Sequence, residues 1–200
     1  KARESGDSPR NNVVVNHVVI NAAAVGAYFR GVENTRWDNC TIAGGRHGVI
    51  TDVETGAPGG GKYSFYSANS LSVGTAGYGF ALGYSDSAVA YAAAFQNKPD
   101  FHPAVPASQF SHTLSVDPGL GPCKLYIPAG SPLKRAGKDG ADIGANVLDR
   151  YENGVLTDVP LWDRAPGAFP HGAIVSGVND LASSSAFDVH RRLHVTGATG

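Results

Sequence analysis

The sequence predicts an all-β fold, a solenoid in which each repeat contains about 22 residues. The main observation is a pattern in which a polar residue and two alternating apolar residues precede a glycine. Glycine (26 residues) and proline (12 residues) are frequent, as in chains with many turns. A period of about 20–25 residues with apolar alternation is typical of solenoids, whose repeats stack to bury a shared core. The pattern occurs as Asn16, Val18, Ile20 and Gly26, as Asp38, Cys40, Ile42 and Gly48, and as Asn69, Leu71, Val73 and Gly79.

The spacing of the repeated glycines defines the repeats and one insertion. Gly48 follows Gly26 by the same interval that separates Ile42 from Ile20, which is one repeat. Gly79 follows Gly48 by one repeat and nine additional residues. These nine residues match a polar, glycine-rich segment, residues 54–62, which we predict to be an inserted loop. Each repeated glycine is expected at a bend where the backbone is left-handed or closely packed.

Alternation within each repeat predicts which side chains point inward. Each repeat should contain a strand, a turn of small residues and a second short strand after the glycine, and a fourth repeat should begin at Ser87. The polar residues that start the pattern are expected to form a ladder at a turn, with Asp38 as an outward carboxylate in the alternative interpretation. The two expected inward rows are Val18, Cys40 and Leu71, and Ile20, Ile42 and Val73.

These patterns predict three regions. They are a polar N-terminal tail (1–12), stacked repeats with the inserted loop (13–97), and terminal repeats with a capping extension (98–200). Three prolines within residues 97–113 indicate an excursion over the surface. Because an open end of a stack exposes unpaired backbone, we expect residues 147–200 to cover an edge or an end. Methionine is absent, so we expect a processed product or a fragment.

Composition limits the classes of partner. Charged residues make up 16% of the chain and the net charge is -1, which provides no basic field for nucleic acid. No apolar run is long enough to span a bilayer, so we expect no membrane span. Of the two cysteines, Cys40 is expected to be a small buried apolar residue, and a disulfide with Cys123 is the alternative.

The second half of the chain resembles a known family. Asp117-Pro-Gly-Leu, Gly130-Ser-Pro and Asp142-Ile-Gly-Ala occur in this order. This order resembles the closing segment of secreted bacterial right-handed parallel β-helix proteins of the pectate-lyase-like superfamily. The resemblance implies a right-handed parallel β-helix with an irregular C-terminal capping region, located outside the cell or on its surface. In that family the closing segment is scaffold, so the resemblance identifies no active site.

Five residues near the insertion are candidates for catalysis. Arg30 and Asp52 occupy equivalent positions in successive repeats and should lie on the same side, either as a surface ion pair or as a carboxylate clamp beside an acid or base. Polysaccharide lyases of the resembled family need a basic side chain, whereas hydrolases need paired aspartates. The repeats contain no local aspartate pair, which favours a lyase over a hydrolase. The other three candidates are Arg36, His47 and Lys62.

Other groups have weaker indications. Asp139 and Asp142 offer oxygen ligands that could contact calcium, although they lack the alternating pattern of a dedicated loop. We expect no other cofactor. A basic cluster at 190–194 is either a solvated strand or a contact for an anionic glycan. Aromatic residues are expected to be stacked core residues, or a sugar-stacking platform where they are exposed. They are Tyr63, Phe65, Tyr66, Tyr78, Phe80, Tyr84, Tyr91 and Phe95.

Two functions therefore remain as hypotheses. The first is an extracellular β-helix protein that binds or modifies polysaccharide. The second is a structural or assembly protein whose repeats stack on another copy, because low charge and many small residues suit close packing between subunits.

Overall fold

The computed structural model describes residues 9–52, 63–120, 127–145, 149–152 and 155–160. The regular elements of this part of the chain are strands and two single-turn 3₁₀ segments, and the predicted all-β class is confirmed. None of its helices is long and apolar enough to cross a membrane. The strands are β1 (Val13–Val15), β2 (Val18–Ile20), β3 (Val25–Arg30), β4 (Thr35–Asp38), β5 (Thr41–Ala43), β6 (His47–Asp52), β7 (Ser64–Ala68), β8 (Leu71–Val73), β9 (Phe80–Leu82), β10 (Asp86–Ala90), β11 (Ala93–Phe95), β12 (Phe110–Ser111), β13 (Asp149–Glu152) and β14 (Val155–Pro160).

The first eleven strands enter three parallel sheets in turn. The first sheet has the order β1-β4-β7-β10-β12, the second has β2-β5-β8-β11 and the third has β3-β6-β9. Every pair in these sheets is parallel. Up to β11, two neighbouring strands of one sheet are therefore connected through one strand of each of the other two sheets, which provides the crossover that parallel pairing requires.

The chain divides into two compact units. The first comprises residues 1–119 and 127–145 and contains the three parallel sheets. The second comprises residues 120–126 and 146–200, and its strands β13 and β14 pair antiparallel, with Glu152 opposite Val155. Most of the predicted capping extension, residues 161–200, lies outside the described residues.

The predicted row of glycines is confirmed. Val25 pairs with His47 and Ala27 with Val49, which places Gly26 beside Gly48, and Gly79 occupies the same position in the next repeat. None of the three has a left-handed φ. They are needed for close packing, because a Cβ on Gly26 would lie 2.6 Å from the Ile42 side chain and one on Gly48 would overlap the carbonyl oxygen of Gly79.

The two predicted inward rows are wrong by one residue. In the second sheet, Val18 pairs with Thr41 and Thr41 with Leu71, whereas Ile42 pairs with Val19. The spacing from β2 to β5 exceeds the glycine spacing by one residue, because the turn between β2 and β3 is one residue longer than the turn between β5 and β6. The inward row of this sheet is Val19, Ile42, Ser72 and Ala94.

The predicted polar ladder is shifted in the same way, and Asn39 takes the place predicted for Asp38. The ladder lies at the corner between the first and second sheets. Each residue of the ladder has a left-handed φ, between 51° and 59°. Asparagine tolerates this conformation better than other non-glycine residues. The backbone N–H groups of the ladder's asparagines donate to the next repeat, for example Asn39 to the Ala68 carbonyl (2.9 Å). The row is Asn16, Asn39, Asn69, Tyr91 and His112.

The core lies between the three sheets and contains both apolar and aromatic side chains. Phe29 packs against Trp37 and Phe65, with ring centroids 5.7 and 4.9 Å apart. Cys40 is a free thiol with no exposed surface, which confirms its expected burial, and burial raises its pKa to about 12. Cys123 lies outside the described residues. Three of the aromatic residues expected in the core are confirmed as buried there: Phe65, Phe80 and Tyr84.

Residues 127–145 cover the outer face of the second sheet. Thr41 and Leu71 point away from the core yet are buried. The covering segment donates hydrogen bonds from Lys138 N–H to Asn69 Oδ1 (2.7 Å) and from Ala145 N–H to Thr41 Oγ1 (2.8 Å). The Asp142-Ile-Gly-Ala motif therefore ends against β5 as part of the scaffold.

Substitution of Gly48 by alanine should destabilise the first unit. The new methyl group would overlap the Gly79 carbonyl, so the backbone of β6 must shift, at a cost of about 1–3 kcal/mol. Urea denaturation of the Gly48→Ala variant measures this change.

Gly130→Ala is the matched control, because a Cβ at Gly130 has no neighbour within 4 Å. Equal midpoints for the two variants would contradict the close packing inferred for the glycine row.

Candidate functional site

The outer face of the first sheet is a candidate functional site. We define it by the outward side chains of β1, β4, β7 and β10. Trp37, Phe65 and Val89 belong to the core, so their alternating neighbours point to the outside. Arg36, Tyr66 and Ala88 are register partners and form one outward row across three strands.

An ion pair fixes one side of this outer face. An Arg36 guanidinium nitrogen lies 2.5 Å from Asp38 Oδ2, and the other carboxylate oxygen accepts a hydrogen bond from the Ala68 N–H (2.9 Å). The Asp38 side chain is only 11% exposed, whereas that of Arg36 is 56% exposed. Both carboxylate oxygens are therefore engaged, and the guanidinium is directed along the face rather than away from it.

Tyr66 and Asp86 form the other side. The Tyr66 hydroxyl donates to Asp86 Oδ1 (3.2 Å), and the tyrosine is 36% exposed. Partial burial, and then the hydrogen bond and charge of Asp86, raise the pKa of Tyr66 above its ordinary value. The phenol therefore stays protonated at neutral pH, and it occupies one of the two carboxylate oxygens of Asp86.

Small residues lie beside this pair. Ala68, Ala88 and Ala90 are half-buried and occupy neighbouring outward positions on β7 and β10, whose strands are about 4.8 Å apart. They leave a shallow floor next to the taller Tyr66 ring. The arrangement accommodates a flat ligand that packs C–H groups on tyrosine and offers hydroxyl groups to a carboxylate.

The structure brings Arg30 and Asp52 together on the third sheet, as predicted. They are register partners at the ends of β3 and β6. Asp52 Oδ2 accepts a hydrogen bond from the Tyr28 hydroxyl (3.1 Å), and no ion pair joins Arg30 to Asp52 among the described side chains. The pair of Tyr28 and Asp52 thus repeats the contact between Tyr66 and Asp86 on a different sheet.

His47 lies apart from Asp52. It begins β6, five residues before Asp52, which corresponds to about 16 Å along an extended strand. His47 stacks on Tyr78 with ring centroids 5.3 Å apart, and its Nδ1 accepts the Tyr78 N–H (3.2 Å). Tyr78 also packs against His102, with centroids 4.4 Å apart. His47 therefore forms an aromatic cluster at the opposite end of the third sheet.

The remaining candidates do not join either group within the described residues. Asp142 already contacts Lys134 Nζ (2.6 Å) and the Arg135 N–H (3.1 Å), so calcium at Asp142 would have to displace a lysine. Asp139 does not share these contacts, and no cluster of three potential metal ligands occurs in the described ranges. Lys62 and the basic cluster at 190–194 lie outside the described residues.

Sequence analysis missed the role of Asp86. Its partner Tyr66 is 20 residues away and on another strand. The repeat could have located it, because Ser64 and Asp86 occupy equivalent positions in successive repeats and pair in register, two positions before Tyr66 and Ala88.

Comparison of the chain with known protein families, curated proteins and solved structures finds no match.

The folded protein should lose stability as the pH falls below 6.5, partly through His47. Burial, and then the nearby Arg46 charge, lower the pKa of His47 from its ordinary value of 6.5. The unfolded chain therefore binds a proton more readily than the folded chain, so this contribution is complete above pH 6.5 and is lost on acidification. Urea denaturation at several pH values measures the effect.

A His47→Asn variant is the comparison, because its amide oxygen can still accept the Tyr78 N–H but does not titrate. The variant should lose less stability than the wild type over the same acidic interval. Equal losses would show that His47 has no part in the pH dependence.

Proposed function

We propose that this chain is an extracellular right-handed parallel β-helix protein that binds polysaccharide on the outer face of its first sheet. The closing-segment resemblance, which covers about residues 113–146, supports the extracellular location. The binding proposal depends on one observation above the others, the partly exposed Tyr66 ring hydrogen-bonded to Asp86 on the outer face of the first sheet.

The order of the strands supports the β-helix proposal. The chain enters the three sheets cyclically, and register partners on neighbouring strands are separated by one repeat, or by one repeat and the insertion. Crossovers between parallel strands of one sheet are almost always right-handed, which supports the proposed handedness. The left-handed corners and the in-register glycines are features that stacking of similar repeats requires.

The chemistry of Tyr66 and Asp86 suits a sugar. One face of a sugar ring is largely C–H and packs on an aromatic ring, while its hydroxyl groups donate to carboxylates. The alanine floor beside Tyr66 leaves room for the ring. Because the face continues from β7 to β10, a chain of sugars can run across the strands.

Binding is better supported than cleavage. The four candidate catalytic residues that the structure describes occupy three places: Arg30 with Asp52 at one end of the third sheet, His47 at its other end, and Arg36 on the first sheet. Arg36 is already paired with Asp38. A lyase or hydrolase needs its acid, base and substrate contacts within hydrogen-bond reach of one bond.

Tyr66→Ala should weaken polysaccharide binding about three- to tenfold, the size expected for one lost stacking interaction. Affinity electrophoresis against a panel of soluble polysaccharides, with laminarin, galactomannan, xylan, polygalacturonate and alginate, identifies a ligand and then measures its affinity.

Tyr28→Ala is the matched control, because Tyr28 makes the same hydroxyl contact with an aspartate but lies on the third sheet. Its binding should equal that of the wild type. The proposal fails if the wild type binds no member of the panel, or if the two alanine variants bind equally well.

A second candidate function, assembly, has a separate observation in its favour. Among the described strands, β1 is at the edge of the first sheet, and Val13 and Val15 are 61% and 49% exposed. Val14 and Val19 are only partly buried, whereas their register partners Trp37 and Ile42 are buried. An edge of this kind can pair with a strand of another copy.

Under the assembly hypothesis, sedimentation velocity should show concentration-dependent association that Val15→Lys abolishes, because a lysine on an edge strand disfavours strand addition. Ala104→Lys, at an exposed position within the segment 97–113, is the control. A wild type that remains monomeric at high concentration excludes this function.

A further inference from the structure

The charged side chains on the outer face of the first sheet do not suit a negatively charged polysaccharide. Among the outward side chains of β1, β4, β7 and β10, the charged groups are one guanidinium, Arg36, and two carboxylates, Asp38 and Asp86. The described face therefore has one net negative charge. A chain of uronate or sulfated sugars would add a negative charge at nearly every ring.

Arg36 is poorly placed to compensate for those charges. Its guanidinium is held by Asp38 at 2.5 Å, and Asp38 is largely buried. A ligand carboxylate that captured Arg36 would leave Asp38 without its cationic partner. Separating a largely buried carboxylate from its cationic partner is unfavourable because the remaining charge is poorly solvated.

The groups that are available to a ligand suit hydroxyl groups. Asp86 is exposed, and one of its oxygens is free of the Tyr66 hydroxyl. This carboxylate accepts hydrogen bonds from sugar hydroxyls and repels ligand carboxylates at the same short range. Tyr66 and the three alanines contribute packing that does not depend on ligand charge.

From this balance of charges, we infer that the outer face selects uncharged polysaccharide and excludes polyuronates and sulfated glycans. The inference rests on the proposed function and specifies its ligand class. Selectivity arises from repulsion by Asp86 and from the ion pair that keeps Arg36 bound to Asp38. Affinity arises from Tyr66.

The affinity measurement with the full chain tests this inference. We expect binding to at least one of laminarin, galactomannan and xylan, none to polygalacturonate or alginate, and little change of affinity with sodium chloride concentration. Salt screens charge interactions but not stacking, so a weak salt dependence is a separate indication of an uncharged ligand. Binding to a polyuronate as tight as to any uncharged member overturns the inference and leaves the proposed function standing. Binding to nothing overturns both.

Asp86→Asn separates charge from shape. The amide oxygen can still accept the Tyr66 hydroxyl, so we expect measurable polygalacturonate binding to appear and binding of the uncharged ligand to fall by less than about tenfold, one lost hydrogen bond. Asp52→Asn removes the equivalent carboxylate beside Tyr28 on the third sheet and should change neither affinity. If both variants gain polygalacturonate binding equally, net charge alone is responsible and the inference is wrong.

Discussion

Parallel pairing between successive repeats depends on corners whose residues adopt a left-handed backbone. At the corner between the first and second sheets, the chain turns within two residues, and the first of them still donates its N–H to the next repeat, as Asn16 does to Asp38 and Asn69 to Ala90. A residue that disfavours this conformation would cost energy at every repeat. Asparagine, and glycine at the next corner (Gly44 and Gly74), reduce that cost.

Because the corners hold the register, side chains from distant parts of the sequence become neighbours. Arg36 and Tyr66 are separated in sequence by a whole repeat and the insertion, yet they lie side by side, and Ala88 follows on the next strand. The candidate site is therefore a property of stacking rather than of any single repeat. Exposed contacts such as that of Tyr66 with Asp86 contribute little to folding, so their geometry is available for recognition.

The three sheets differ in what lies on their outer faces. Residues 127–145 bury the outer face of the second sheet through hydrogen bonds to Thr41 and Asn69. The first sheet leaves Tyr66 open, and the third presents Tyr28 and Asp52. Leu71 is buried beneath the covering segment, so the apolar alternation of β8 belongs to the layer outside the sheet, whereas its inward residue is Ser72. A position that alternation places inward need not face the central core.

The sequence alone was enough to predict the all-β class, the glycine row, the position of Arg30 beside Asp52 on neighbouring strands and the burial of Cys40, because each follows from a spacing or an alternation. It was not enough to predict the rows of the second sheet. One additional residue between Ile20 and Val25 changes the register there, and a period measured between glycines cannot reveal where within a repeat the extra residue lies. The covering of the second sheet, the separation of His47 from Asp52 and the contact of Tyr66 with Asp86 were decided by tertiary structure. Each of them depends on which strands become neighbours, and that is determined by stacking between repeats.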